Sequence, residues 1–449
     1  MNKILIANRG EIARRIIRTC NKLGIQTVAI HSEADGDLPY VGEATESVLI
    51  GPNPVVQSYL QGDKIIEAAK QHGASAIHPG YGLLSENAEF ARKVEEAGLK
   101  FIGPSAAIIE KMGDKIESRR TMIEAGVPVV PGTENGVATL EEAVAEAEAI
   151  GYPVMLKASA GGGGIGMVRC DNEQALSQQF LSVKNRAKAY FGDDIVFLEK
   201  FLPDARHIEV QIFGDHHGNI VHLFERNCSV QRRNQKVIEE SPSPNLPQDV
   251  RERLCRAAVQ AAKAVSYTNA GTVEFIVDAN NEFYFLEMNT RLQVEHPVTE
   301  QVTGLDLVEW QLKVANGEPL PAQGEIESRG HAIEYRIYAE DPKTFFPSPG
   351  TLEKVIWGQD ARIESGYEQG NTVTPFYDPM ISKIILTGED RMDALRQSQN
   401  FFSHAAITGV KTNIPLFREF IESPEFVSGE YATSTLSNWM DKTKEEQGL

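Results

Sequence analysis

Cysteine is scarce in this chain, and the little there is forms no pattern. Cys20, Cys170, Cys228 and Cys255 are scattered without a paired spacing. That excludes a disulfide framework and a cysteine-built zinc site. Positive charge is in deficit too: 44 Lys and Arg against 63 Asp and Glu leave a formal net charge of -19. Such a balance excludes nucleic acid or an anionic membrane as the main partner. No apolar run reaches helix-spanning length, and the opening Met1-Asn-Lys-Ile-Leu-Ile-Ala7 reads as a strand leading into charges rather than a signal peptide. No repeat of fixed period is present. The chain is therefore expected to be soluble and cytoplasmic, and its 449 residues allow about two to four domains.

What is there begins with alternating strand and helix segments over residues 1 to about 112, the pattern of a doubly wound parallel sheet. Lys3–Ala7, Thr27–Ile30 and Ser75–His78 read as buried strands, and a helix after Asn8-Arg9-Gly10-Glu11 turns Ile12, Ile16, Ile17 and Leu23 inward. That junction lies where nucleotide folds often hold phosphate, but it lacks the G-x-G-x-x-G spacing. His78-Pro-Gly-Tyr-Gly82, followed by Ser85-Glu-Asn87, is a glycine-rich loop before a capped helix. Asp114 is placed to cap a further helix starting at Lys115 and ending near Gly126. Pro153–Lys157 is a strand ending in lysine, and Ala160-Gly-Gly-Gly-Gly-Ile-Gly166 follows. Consecutive glycines suit close approach of backbone N–H groups to phosphate. With Lys115 and Lys157, the loop reads as a mobile lid over a triphosphate.

Ile195–Lys200 is an apolar strand ending in a charged pair, where backbone can read an adenine edge. Arg206–Phe213 alternates strictly, with His207, Glu209 and Gln211 on one face. Asp215–Asn219 makes the turn back. Arg226, Gln231, Arg232, Arg233, Gln235 and Lys236 then concentrate donors in an otherwise acidic chain, as an anionic ligand would require, although a solvated basic strand fits that stretch alone equally well. Near the end, His331–Glu340 and Asp378–Leu386 read as strands, Arg391–Ala405 as a helix, and Met440–Leu449 as a frayed tail.

The densest chemistry lies in Glu287-Met-Asn-Thr-Arg-Leu-Gln-Val-Glu295. In an extended segment, Glu287, Asn289, Arg291, Gln293 and Glu295 share one face. A straight strand would hold Glu287 and Glu295 about 26 Å apart at roughly 3.3 Å per residue, so the chain is expected to bend after Asn289. Two strands before it, Gly271–Asp278 and Glu282–Glu287, meet across Asn280-Asn281. A turn centred there sets Asp278 opposite Phe283, Ile276 opposite Phe285 and Glu274 opposite Glu287. Facing carboxylates about 5 Å apart repel unless a cation sits between them. An isolated pair would suit a polar strand edge; the row that follows favours magnesium, with Asn289 as a further oxygen ligand.

Together these stretches resemble the biotin carboxylase component of a biotin-dependent carboxylase, an ATP-grasp enzyme. The likeness covers essentially the whole chain: Ile6-Ala-Asn-Arg-Gly-Glu-Ile12, His78–Gly82, Met112-Gly-Asp-Lys115, the glycine loop, Gln231-Arg-Arg233, Glu287–Pro297 and Tyr377-Asp-Pro-Met380. It implies a fold that is α/β and α+β: an N-terminal Rossmann-like parallel sheet over 1–112, a central ATP-grasp module over 113–329 with a mobile lid at about 131–203, and a C-terminal mixed α+β domain over 330–449. It also implies that ATP phosphorylates bicarbonate to carboxyphosphate, from which the carboxyl group passes to a ureido nitrogen of biotin. Site residues follow from the same resemblance. Lys115, Lys157, Gly162, Gly163, Gly164, Glu199, Lys200, Leu202, His207, Gln231, Asn234 and Glu274 would hold ATP. Glu274, Glu287 and Asn289 would hold magnesium or manganese, two ions in all. Lys236, Arg291, Gln293, Val294 and Glu295 would hold bicarbonate, with Glu295 as general base. Tyr81 and Arg336 would meet biotin, Arg336 stabilising its enolate-like oxygen.

Three positions depart from the family pattern: Asn234 where histidine is usual, Asn227 for aspartate, and Ile165 where many relatives carry a cation. No Ala-Met-Lys-Met-like biotinylation site is present, so biotin is expected on a separate carrier protein, with a separate carboxyltransferase completing the cycle. A homodimer is expected from the resemblance, and the final acceptor is expected to be an acyl-CoA such as acetyl-CoA.

Overall fold

The computed structural model describes residues 1–159 and 166–447. Five parallel strands open the chain: β1 (Lys3–Ile6), β2 (Gln26–Ser32), β3 (Glu46–Gly51), β4 (Ala76–His78) and β5 (Lys100–Phe101), in the order β3-β2-β1-β4-β5. Ile4 and Ile6 face one core and Leu5 another, the alternation of a strand covered on both sides. Helix α1 (Gly10–Lys22) buries Ile12, Ile16 and Ile17. Leu23, expected inward with them, is 37% exposed, because it ends the helix and leaves the buried stripe. The Asn8–Glu11 junction braces its own surroundings: Asn8 Nδ2 donates to the carbonyls of Pro79 (2.7 Å) and Tyr81 (2.8 Å), and Arg9 Nη2 to Asp35 Oδ1 (2.7 Å). Gly80, at φ 63°, lies so close to Asn8 that an added Cβ would come within 2.8 Å of its Nδ2.

Helix α2 (Lys115–Glu124) begins where the Asp114 carboxylate accepts from the N–H groups of Ile116 (2.9 Å) and Glu117 (3.0 Å). A small antiparallel sheet follows, β6 (Val154–Ala158), β7 (Met167–Cys170) and β8 (Val196–Lys200), ordered β7-β6-β8. With α3 (Leu140–Ile150) and α4 (Glu173–Phe191) it closes over a core of its own that includes Leu156, Leu176 and Leu198. Gly162, Gly163, Gly164 and Ile165 lie outside the described residues.

The largest element is an eight-stranded antiparallel sheet: β9 (Arg206–Gly214), β10 (Ile220–Arg232), β11 (Gln235–Ser241), β12 (Asn269–Val277), β13 (Phe283–Asn289), β14 (His331–Tyr338), β15 (Arg362–Ser365) and β16 (Met380–Gly388). Their order is β13-β12-β9-β10-β11-β14-β16-β15. Because β11 pairs with β14, the sheet crosses position 330 without a break. Arg233 and Asn234, at φ 50° and 64°, form the two-residue turn between β10 and β11. Asparagine suits that backbone, which gives Asn234 a structural reason.

The β12-β13 hairpin keeps Glu274 opposite Glu287 but corrects the pairs nearer the turn. Val277 faces Phe283, Ile276 faces Tyr284 and Phe275 faces Phe285. The loop is wider than a turn centred on Asn280-Asn281, with Asp278 N–H bonded to Glu282 O (2.9 Å), and a bulge beside Glu274 restores the register. Beyond the strand, α5 (His296–Thr303) packs on β11 and β14, and α6 (Arg391–His404) covers the far side of β14 and β16. Of the expected frayed tail, residues 440–447 are instead helical: they continue α7 (Thr435–Gln447), which sets Trp439 edge-on to Phe420 at 5.3 Å. Among the described residues no helix is long and apolar enough to cross a membrane.

Candidate active site

A single cleft of about 670 Å³ is lined by every described residue expected at the site. They are Tyr81, Lys115, Lys157, Glu199, Lys200, Leu202, His207, Gln231, Asn234, Lys236, Glu274, Glu287, Asn289, Arg291, Gln293, Val294, Glu295 and Arg336. The volume suits a small-molecule site.

Its centre is the Lys236 ammonium, delivered by β11 into a ring of buried carboxylates. Lys236 Nζ lies 2.6 Å from Glu209 Oε2, 2.8 Å from Glu274 Oε1 and 2.6 Å from Glu295 Oε1. Burial works against this cation, but the three carboxylates override it and hold its pKa well above the usual lysine value. Burial would likewise raise the Glu295 carboxyl; Lys236, Arg336 and Arg226 outweigh it and keep Glu295 well below the ordinary range. Glu295 is therefore ionised. Arg336 Nη2 sits 3.0 Å from Glu295 Oε2.

Of the two cations expected with Glu295 around bicarbonate, Lys236 is bonded to it, whereas the Arg291 guanidinium bonds Glu86 Oε2 (2.7 Å), Gln293 Oε1 (2.6 Å) and Asn289 Oδ1 (3.1 Å) and reaches Glu295 only through its charge. The bend after Asn289, where β13 ends, turns its guanidinium back over the row. Arg226, expected among ligand donors, is also corrected. It is fully buried and bonds Glu209 Oε1 (2.6 Å), Gln211 Oε1 (2.8 Å), Thr299 Oγ1 (2.9 Å) and Thr272 Oγ1 (3.2 Å), because a buried guanidinium needs internal acceptors.

Glu274 Oε1 also accepts from Asn289 Nδ2 (2.9 Å) and Gln293 Nε2 (3.1 Å), while Oε2 lies 2.9 Å from His207 Nε2. Gln231 Nε2 stands 3.0 Å from His207 Nδ1. Lys115 Nζ pairs with Glu287 Oε2 at 2.6 Å. On the small sheet, Glu199 pairs with Lys157 and, at 3.0 Å, with Arg119. Lys200 lines the cleft, but its ammonium is bound to the carbonyls of Gly151 (2.6 Å) and Tyr152 (3.1 Å), and its N–H to Pro131 O (2.7 Å).

Glu274 and Glu287 fit a hard divalent cation, since they present carboxylate oxygen from two strands in register, each now matched by a lysine, while Asn289 turns its Nδ2 to Glu274 and its Oδ1 to Arg291. Among the described residues, two other clusters have metal-like spacing, His207–Glu209–Glu274 and Glu209–Cys228–Glu295. Their nitrogen and sulfur donors are softer, and the Lys236 ammonium already stands among their carboxylates.

Several residues went unassigned by sequence reasoning. Lys383, fully buried on β16, donates to Val294 O (2.7 Å) and lies 3.0 Å from Glu11 Oε1, which also accepts from the Tyr81 hydroxyl. Glu86 anchors Arg291, and Glu239 lies 2.5 Å from Arg336 Nη2. A lysine inside the apolar run Met380–Leu386 was the one available signal for Lys383.

Three family models match in succession: "Biotin carboxylase, N-terminal domain" over residues 1–109, "Carbamoyl-phosphate synthase L chain, ATP binding domain" over 114–323, and "Biotin carboxylase C-terminal domain" over 334–438. A biotin carboxylase of Halalkalibacterium halodurans is 56% identical over 439 residues, covering 97% of each chain. The mitochondrial methylcrotonoyl-CoA carboxylase subunit alpha of Arabidopsis thaliana is 52% identical over 96% of this chain and 60% of its own length. Among solved structures, the biotin carboxylase domain dimer of Hydrogenobacter thermophilus 2-oxoglutarate carboxylase, in complex with MgADP, ADP and bicarbonate, superposes with a TM-score of 0.95 at 46% identity, covering 97% of each chain. Sequence, fold and cleft agree, and the chain belongs to the biotin carboxylase family.

Proposed function

We propose that this chain uses ATP to activate bicarbonate and carboxylates biotin borne on a separate carrier protein. The observation that carries this reading is an ionised, buried Glu295 held between Lys236 and Arg336 in the same cleft as the facing Glu274 and Glu287.

Bicarbonate is bound by Lys236, Arg291, Gln293 and the backbone at Val294. Glu295 takes its proton, and the freed oxygen attacks the γ-phosphorus of ATP as the bond to the β-γ bridging oxygen breaks, giving carboxyphosphate and ADP. Lys115, Lys157, His207 and Gln231 hold the nucleotide, with Glu199, Lys200 and Leu202 near its base. A magnesium ion held by Glu274, Glu287 and Asn289 would offset charge on the phosphoryl oxygens. When carboxyphosphate breaks down, the phosphate released takes the biotin N–H proton, Arg336 steadies the oxyanion form of the ureido group, and that nitrogen bonds the carboxyl carbon. Tyr81 lies against the same end of the cleft.

An acyl-CoA as the final acceptor is supported by the methylcrotonoyl-CoA carboxylase relative, and a homodimer by the dimeric 2-oxoglutarate carboxylase domain. A carrier protein and a carboxyltransferase complete the cycle. Phosphate release from ATP measured with bicarbonate, with and without free biotin, tests the activity: release that depends on both is expected. Release indifferent to biotin would point to another ATP-grasp ligase.

A further inference from the structure

Arg336 is gripped from two sides, and only one of them enters the reaction proposed above. Its Nη2 lies 3.0 Å from Glu295 Oε2 and 2.5 Å from Glu239 Oε1. Glu239 on β11 stands directly across the ladder from Glu334 on β14, and both side chains are fully buried. Opposed Cβ atoms in such a pair are about 5 Å apart. Neither oxygen of Glu334 has a hydrogen-bond partner among the described residues. Two ionised carboxylates carried by such a pair, away from water, repel strongly, and the Glu239 charge raises Glu334.

We propose that Glu239 is a positioning residue for Arg336 and that Glu334 shares a single proton with it, so that the buried pair presents one negative charge to the guanidinium. Other charges around the pair fit this count. Lys236 and Glu295 lie on its cleft side, Lys383 approaches Glu334 from β16, and β10 adds the Cys228 thiol. The α5 residue His296 is kept neutral by burial, and Arg391 of α6 is matched to Glu240. Burial pushes Glu239 up to about 7 and Glu334 well above the carboxylate range. With the proton shared, Arg336 retains donors for a substrate oxygen. Once it is lost, a second buried anion pulls the guanidinium away from biotin.

The inference rests on the assignment of Arg336 to biotin, and the test separates the two. Glu239→Gln, Glu334→Gln and Arg336→Lys are assayed for biotin-dependent phosphate release across pH, with KM for ATP and thermal unfolding measured in parallel. Wild-type kcat/KM for biotin is expected to fall at alkaline pH, above the value of about 7 to which Glu239 is pushed, as the shared proton is lost, and Glu334→Gln to lose that fall. Glu239→Gln is expected to raise KM for biotin about tenfold with KM for ATP and unfolding unchanged. If Arg336→Lys leaves biotin turnover intact, the assignment of Arg336 fails and the inference falls with it. If Arg336→Lys abolishes turnover while both glutamine variants keep the wild-type KM and pH profile, the inference alone is overturned. A joint shift of both KM values and of unfolding would reduce Glu239 to a structural residue and overturn it as well.

Discussion

Replacing Glu295 by glutamine removes the proposed base while keeping its shape, and the surroundings allow the effect to be divided in advance. The carboxylate accepts from Lys236 at 2.6 Å and Arg336 at 3.0 Å. Losing two charge-assisted bonds would cost about 1.5–3 kcal/mol each if both cations were left alone. They are not: Lys236 keeps Glu209 and Glu274, and Arg336 keeps Glu239. Removing one anion also relieves Glu209, whose pKa is raised by burial and then by Glu295. The variant is therefore expected to fold and to bind ATP, with unfolding only slightly earlier than wild type at pH 7. Turnover is expected to fall by about 100- to 10,000-fold, the usual contribution of a positioned base. Because Glu295 has a folded pKa below its ordinary 4.5, its stabilisation is present above that value and is lost as pH falls through the lower folded one. The stability gap between wild type and variant should accordingly close below about pH 4.5. Steady-state phosphate release and ATP calorimetry on the same preparation decide the matter. A variant that binds ATP and turns over within about tenfold of wild type would refute the assignment of Glu295 as the base.

Other outcomes follow from the same contacts. Arg226→Met takes one of two cation partners from the fully buried Glu209, leaving it Lys236, and is expected to destabilise the fold by about 3 kcal/mol in urea unfolding, with Glu209→Gln in the same chain restoring part of it. Asn234→Val forces a β-branched side chain into φ 64° and should cost about 1–2 kcal/mol in thermal unfolding, whereas Asn234→Gly should be nearly neutral. Glu287→Gln is expected to raise the magnesium concentration for half-maximal phosphate release by about 10- to 100-fold, with KM for biotin unchanged.

The site was legible in the sequence where it depends on local periodicity. Alternation placed His207, Glu209 and Gln211 together, and the polar row after Phe285 located the bend at Asn289. The hairpin register was right at Glu274 and Glu287 because a bulge cancelled a wrong turn width, a compensation no pattern of residue types records. Contacts between distant segments were not legible. Glu86 is 205 positions from Arg291, and Glu11 meets a lysine on β16, so nothing in either neighbourhood announces the pairing. Arg226 was misread because a basic residue in an acidic chain looks like a ligand donor until its neighbours are known to be buried carboxylates and hydroxyls.

The sheet that runs from β13 to β15 sets the distance between the residues assigned to the two steps of the proposed reaction. Glu274 and Arg336 stand on strands joined through β9, β10 and β11 by main-chain hydrogen bonds, with no linker between them. In the proposed reaction, phosphoryl chemistry and carboxyl transfer would thus share one rigid ruler. An insertion in any of those three strands should upset the handover between the two steps more than either step by itself.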